Sequence, residues 1–302
     1  MKGPPLKEST RKFFQRFLTQ KSCEESTTNL SELDSESSGA FALYSIPVVF
    51  VGAVLFVLLL LNLVLLPRRR KSKELHNELL THAVVTGGSS GIGLSIAKDL
   101  VKRKCQYVTL IARTKQKLEE AKIMLKEYAT SIGSPTIITI LSVDVSDAIK
   151  IDEEAKKLSV SGIPNITMLF NVAGTSTSAS FLDTDYKEFD RLMNINYLGT
   201  AYATKAFLPY MRTGRKAPRA IVFTSSQAGQ VGVYGFTAYS ASKSALRGFA
   251  EALHMEVARD NITVQVAYPP DTDTPGFALE QVEKPEETRL ISETSGLFQP
   301  EK

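Results

Sequence analysis

Tyr239 and Lys243 stand four residues apart in the string YSASK. On a helix, residues at that spacing lie one above the other on the same face. A phenol beside an ammonium is an acid–base device. A free tyrosine has a pKa of roughly 10 and stays protonated at neutral pH. A neighbouring ammonium favours the phenolate and lowers that value. The phenol then comes closer to the operating pH, where a general acid works best. Such a pair is common by itself, so its weight depends on its surroundings. Upstream, an apolar run AIVFTS leads into TSSQAGQVGVYGFTAY. Ser225 and Ser226 end that run. A serine hydroxyl there can hydrogen-bond a substrate carbonyl, and the string alone does not separate the two.

A second constellation lies near residue 85. The apolar run AVVT passes directly into TGGSSGIGLSIAKDL. Gly87, Gly91 and Gly93 fall in the turn and at the start of the next helix. Glycine lets backbone approach a ligand closely and adopt positive φ. A helix N-terminus adds free N–H groups and a positive dipole end. Strand, glycine turn and helix together predict a pyrophosphate cradle. The next apolar run ends in LIARTKQK. Arg113 stands where an acidic residue would bind a ribose 2′-hydroxyl, and Lys115 and Lys117 follow it. A guanidinium suits a 2′-phosphate, which favours NADPH/NADP+ over NAD. Asp144, in SVDVS, either holds an adenine amino group or forms a turn.

These residues need a scaffold that brings them to one place. Short β-branched runs recur at 83–86, 107–112, 136–143, 166–170, 220–225 and 262–268. Segments of helical spacing separate them, as in KQKLEEAKIMLKEYA at 115–129. The runs read as apolar on both faces, which suits a buried parallel sheet. The alternation predicts an α/β fold, a Rossmann-like doubly wound parallel sheet with helices on both faces.

Composition narrows the function. The chain has 302 residues, 43% of them hydrophobic and 23% charged. That is ordinary for a globular protein. A net charge of +4, spread along the chain, makes no case for nucleic acid. The two cysteines, Cys23 and Cys105, fit no metal spacing, and with only three histidines a His-based metal or triad site is poorly supplied.

One stretch is unlike the rest. Residues 41–66 carry no charge, and roughly 20 apolar residues suffice to span a bilayer core. A transmembrane helix is expected there, preceding the α/β domain. Arg68, Arg69, Arg70, Lys71 and Lys73 follow it, whereas Glu32, Asp34 and Glu36 precede it. The positive-inside rule puts the C-terminal side in the cytosol. The expected organisation is a disordered lumenal tail (1–40), a single span (41–66), a basic cytosolic linker (67–81) and the domain (82–302). The glycosylation sequon at Asn29 would face the lumen. Those at Asn165 and Asn261 would face the cytosol and stay unmodified.

As a set, TGGSSGIG, NVAG, NINYLG, the strand-end Ser226 and YSASK resemble the short-chain dehydrogenases/reductases in order and spacing, over residues 82 to about 278. In that family the serine lies thirteen residues before the tyrosine, which selects Ser226. The resemblance implies Tyr239 as acid, Ser226 as carbonyl orienter and Lys243 as a further ligand of the nicotinamide ribose. It implies that Asn196 holds a water in a proton relay to Lys243, and that Asn171 and Gly174 steady the central strands and the cofactor. The implied cofactor contacts also include Ser89, Ser90, Ile92, Val145, Ala173, Pro270 and Thr272. The strings GFTAYSASK, AEALHMEV and VAYPPDTDTPGF resemble a branch of the family acting on 3-ketodihydrosphingosine. That implies reduction of this long-chain lipid ketone to dihydrosphingosine at the endoplasmic reticulum membrane, with the active site in the cytosol. Helix pairing within the family implies a homodimer.

The glycine loop and the Tyr-x3-Lys pair do not separate that substrate from a steroid or retinoid ketone; residues 269–295 must do so. Glu280, Glu283, Glu286 and Glu287 either attract a substrate ammonium or form a solvated helix face. The resemblance also implies a further helix and a seventh strand after the sixth; their absence from this sequence would leave ITVQVAY as an apolar sheet edge. Without that strand the alternative is a catalytically silent membrane interaction protein.

Overall fold

A computed structural model describes residues 79–212, 217–282 and 284–301. The predicted tail, the predicted span and most of the linker lie outside these residues. Among the described residues no helix is long and apolar enough to cross a membrane.

The first strand, β1 (His82–Thr86), is buried along its whole length. Its neighbours in sequence alternate between helix and strand. They are α1 (Gly91–Lys102), β2 (Tyr107–Ala112), α2 (Lys115–Ser131), β3 (Ile137–Ser142), α3 (Ala148–Ser159) and β4 (Met168–Asn171). Then come α4 (Tyr186–Leu192), a π-helical turn over Met193–Leu198, α5 (Gly199–Met211), β5 (Arg219–Thr224), α6 (Thr237–Val257) and β6 (Ile262–Ala267). Two short helices, α7 (Pro275–Glu280) and α8 (Glu286–Ser295), close the described chain.

The six strands pair in the order β3-β2-β1-β4-β5-β6, and every pairing is parallel. The winding direction reverses between β1 and β4. At such a switch point the loops leaving two adjacent strands diverge, and a crevice opens beyond the strand ends. This is the doubly wound architecture that the alternation predicts.

Successive strand residues face opposite sides of the sheet. Val84, Ile111, Leu169, Ile221 and Phe223 enter one core with Phe207 and Met211 of α5 and Leu253 of α6. Ala83, Val85, Val108, Leu110 and Met168 enter the other, with Leu100 of α1 and Leu118 and Leu125 of α2. Leu79 and Leu80, at the end of the predicted linker, pack against this second core. The Leu79 carbonyl accepts from Thr167 and the Leu80 carbonyl from the Gln106 N–H. These contacts tie the residues just ahead of the predicted start at 82 to the sheet.

The reading of all six runs as apolar on both faces needs correction at the edges. Within the described residues β3 and β6 are the outermost strands, and Ile137, Ser142, Thr263 and Gln265 are exposed. An edge strand has one flank without a neighbour, so its outer positions reach water.

The turn from β1 to α1 is fixed by close backbone approach. Gly87 adopts φ +68°, and a Cβ there would stand 2.9 Å from the Ala173 nitrogen. A Cβ on Gly93 would stand 2.3 Å from the Gly87 carbonyl oxygen. The contact is backbone on backbone, so no side-chain rotation relieves it. Gly93→Ala is therefore expected to cost about 1–3 kcal/mol of stability. A thermal unfolding midpoint equal to wild type would refute this account of the turn.

Candidate active site

The switch point opens into a cleft of about 850 Å³. Its floor is the glycine turn after β1, its sides are the ends of β2, β4 and β5, and its roof is the segment from Pro269 through α8. Of the predicted residues, Gly87, Ser89, Ser90, Gly91, Ile92 and Gly93 line it on one side. Arg113, Lys117, Asp144, Val145 and Ala173 line it further along, and Ser226, Tyr239, Lys243, Pro270 and Thr272 line the opposite end. Asn171 and Asn196 are buried beneath it.

The Lys243 side chain crosses from α6 to the sheet. Its ammonium donates to the Thr224 carbonyl at 2.9 Å and sits 5.9 Å from the centroid of the Tyr239 ring. The two residues do share one helix face, as the spacing requires. Burial disfavours the ammonium and brings its pKa down to about 8. The Tyr239 phenol, however, moves opposite to expectation. Burial raises it to about 12; a hydrogen bond with Ser226 opposes the rise, while the charges of Glu280 and Asp271 add to it. The predicted depression by Lys243 is overridden because the cleft wall desolvates the phenol and two carboxylates stand near it. At neutral pH Tyr239 carries its proton.

The two serines separate in space. Ser225 is buried and its hydroxyl donates to the Lys243 carbonyl at 2.9 Å, tying β5 to α6. Ser226 lines the cleft, where its hydroxyl oxygen accepts from the Ala228 N–H at 3.2 Å and meets the Tyr239 phenol.

Asn196 lies in the π-helical turn and is fully buried. The wider turn is a common local distortion at functional sites. The Asn196 amide clamps the chain after β4: its Oδ1 accepts from the Thr175 N–H at 2.8 Å, and its Nδ2 donates to the Thr175 carbonyl and to Ser242, both at 2.9 Å. Gly174 lies between this clamp and the lysine. A Cβ there would stand 3.1 Å from Asn196 Oδ1 and 3.1 Å from Lys243 Nζ. Asn171 donates to Thr204 at 3.1 Å and so joins β4 to α5.

At the far end Arg113 Nη1 is 3.8 Å from Asp144 Oδ2. Asp144 Oδ1 accepts from the Ser146 N–H and hydroxyl at 2.9 and 2.7 Å, so this residue does form a turn. Apart from this long contact Arg113 is largely exposed at the cleft, where its guanidinium can meet an anion.

Sequence reasoning missed two groups. Arg191 of α4 lines the cleft, pairs with Glu188 and donates to Thr175 and Thr177. Its only signal is an i,i+3 charge pair on a short helix. Lys284, between α7 and α8, is fully buried. It pairs with Glu280, which is itself buried and not a solvated face; Glu286 is exposed, and Glu283 lies outside the described residues.

The cleft suits a nicotinamide dinucleotide. The glycine turn offers backbone where any Cβ would intrude, and the N-terminus of α1 faces the cleft beside it. Arg113 and Lys117 lie toward one end, and Tyr239 and Lys243 toward the other.

Residues 81–284 match the short chain dehydrogenase family. The chain belongs to this family. It is 49% identical over 220 residues to a 3-ketodihydrosphingosine reductase of Bos taurus and equally to a 3-dehydrosphinganine reductase of Danio rerio. Each match covers 73% of this chain and 65% of the relative, so the chain spans somewhat under two thirds of the length of these proteins. A short-chain dehydrogenase from Streptomyces avermitilis superposes with a TM-score of 0.57 at 31% identity, over 65% of this chain and 68% of that one. The shared region contains every cleft residue described above except those of α8 beyond Lys284.

The lowered Lys243 pKa has a consequence for stability. Below about pH 8 the lysine is charged both folded and unfolded, and the folded chain bears the full cost of burying it. Between about pH 8 and the ordinary lysine value of 10.5 the folded form releases the proton first, so stability relative to a lysine-free chain rises with pH. The unfolding free energy of wild type minus that of Lys243→Met is therefore expected to grow between pH 7 and pH 10.5, by about 3 kcal/mol at most. A difference that stays flat or shrinks would show that the ammonium is not buried at this cost.

Proposed function

We propose that the protein is an NADPH-dependent reductase of 3-ketodihydrosphingosine, forming dihydrosphingosine in sphingolipid synthesis. The reading rests on the convergence of Ser226, Tyr239 and Lys243 in the cleft that the glycine turn also lines, in a chain 49% identical to proteins named for that reaction. Residues 41–66 would anchor it as a single span in the endoplasmic reticulum membrane, with the domain in the cytosol. The basic cluster after that run supports this orientation. A homodimer of the domain would accord with the family.

Reduction of a ketone to a secondary alcohol adds a hydride at carbon and a proton at oxygen. The dihydronicotinamide, when bound, supplies the hydride. The residues of the chain supply the rest. Ser226 donates a hydrogen bond to the ketone oxygen and orients it. Tyr239, protonated at neutral pH, donates its phenolic proton to that oxygen as negative charge develops there. Lys243 stabilises the phenolate left behind, because an ammonium beside it favours the charged form. The lysine is held for this by the Thr224 carbonyl. Asn196 acts one layer lower: it fixes the chain at Thr175 and, through Ser242, the turn of α6 that carries Tyr239. A relay water near Asn196 would return the proton by way of Lys243. Arg113 and Lys117 would meet the 2′-phosphate, the reason for preferring NADPH to NADH.

Two measurements test the reading. The full chain in membranes, given NADPH and 3-ketodihydrosphingosine, is expected to form dihydrosphingosine. Tyr239→Phe is expected to lower kcat by about 10²–10⁴-fold with little change in KM. Equal turnover by the variant would remove Tyr239 from its role. Arg113→Ala is expected to raise the KM for NADPH about tenfold or more and leave that for NADH nearly unchanged. A parallel loss with both cofactors would assign Arg113 to folding rather than to the phosphate.

A further inference from the structure

Beside Tyr239 the roof of the cleft holds an ammonium in a closed cage. Lys284 Nζ, wholly shielded from water, is 3.1 Å from Glu280 Oε1 and 3.7 Å from Asp271 Oδ2, and it donates to Ser292 at 2.9 Å. The Ser292 hydroxyl in turn donates to Asp271. The rings of Phe277 and Phe236 stand 5.0 and 5.6 Å from the same nitrogen, within range of a cation–π contact. Buried ion pairs seldom stabilise a fold more than apolar residues of the same size would. A buried ion pair of Lys284 and Glu280, with the part-buried Asp271 beside it, at the edge of an active cleft therefore points to a role in binding.

The position fits one ligand group. Glu280, Asp271, Phe236, Phe277 and Ser292 all line the cleft that Tyr239 lines. The Phe236 ring packs against the Tyr239 ring at 5.4 Å. Two carboxylates against one lysine leave the cage one negative charge in excess. The Glu280 side chain is only 9% exposed and its Oε1 makes no hydrogen bond, so beyond the ion pair with Lys284 it has acceptor capacity to spare. Leu279 and Val282 line the same cleft and are 76% exposed, an apolar margin beside a polar cage.

We propose that this cage is the subsite for a primary ammonium on the carbon next to the ketone, and that Lys284 occupies it as an internal stand-in which the substrate's ammonium replaces. The proposal rests on the sphingoid ketone reading above. In that substrate the amine-bearing carbon adjoins the carbonyl carbon. An amine receptor must then abut the proton donor, as this cage does. The Phe236 ring, which packs against Tyr239, is the same ring that faces Lys284, so cage and proton donor share one wall of the cleft. The ammonium exchange conserves charge: one cation leaves the carboxylates as another arrives.

The test compares two ketones on the full chain with saturating NADPH. One is 3-ketodihydrosphingosine; the other is its analogue with hydrogen in place of the amino group. Wild type is expected to show a KM lower by roughly tenfold or more for the amine, the scale of a charge-assisted hydrogen bond. Glu280→Gln is expected to bring the two KM values to within about twofold of each other, and Lys284→Met to widen their ratio beyond that of wild type. The ratio is taken within one variant, so partial unfolding or an altered Tyr239 phenol scales both ketones alike. Asp271→Asn serves in the same way should Glu280→Gln not fold. Equal KM values in wild type, or an unchanged ratio in the carboxylate variant, would overturn the subsite while leaving sphingoid ketone reduction intact. A ratio that narrows in Lys284→Met would overturn the exchange. Reduction of neither ketone by wild type would overturn the proposed function and the subsite together.

Discussion

The buried ammonium of Lys243 is the constraint around which the rest of the site is arranged. It is donated to the last carbonyl of β5, and the Ser225 hydroxyl donates back to the Lys243 carbonyl. The two bonds lock α6 onto the end of β5 at one height. That height decides where Tyr239, one turn earlier on the helix, meets the cleft. A lysine buried this deeply is costly, and its pKa falls to about 8. The cost is accepted where the sheet reverses its winding, the one place where diverging loops leave room for a ligand. Gly174 completes the arrangement, since a Cβ there would press on both Lys243 Nζ and Asn196 Oδ1 at 3.1 Å and oblige them to shift.

The local parts of this design were legible in sequence because they depend on spacing within one element. Four residues on a helix set Tyr239 above Lys243. Strand, glycine turn and helix set the backbone of Gly87 to Gly93. Six β-branched runs separated by helices set a doubly wound sheet, and the observed order follows. What sequence left open depends on contacts between elements far apart in the chain. Ser225 and Ser226 are neighbours, and only the packing of α6 directs one hydroxyl to the Lys243 carbonyl and the other into the cleft. Strand edges are invisible for the same reason: β3 and β6 read as buried runs until their neighbours are counted. Lys284 carries no local signal, since charged residues flank it on both sides and the sequence reads as a solvated stretch.

The phenol of Tyr239 shows how such distant contacts change chemistry as well as position. Spacing alone predicts an ammonium that draws its pKa down. The folded chain also sets Glu280 and Asp271 near it, some forty and thirty residues further along, and with burial they drive it to about 12. Charge is arranged differently at the two ends of the cleft: Arg113 and Lys117 line one, while at the other the ammoniums of Lys243 and Lys284 accompany Glu280 and Asp271.

The mixed charges at the tyrosine end bear on catalysis. A phenol whose pKa lies at about 12 carries its proton at neutral pH but is a weaker acid than a free tyrosine. It gives it most readily when the acceptor oxygen gains charge and an ammonium close by offsets the phenolate. The carboxylates on the far side act against that step, because they disfavour the phenolate. Lys284 offsets one of those two charges, and in the proposed exchange the substrate's ammonium takes over that task, so the opposition stays bounded while the ketone is in place.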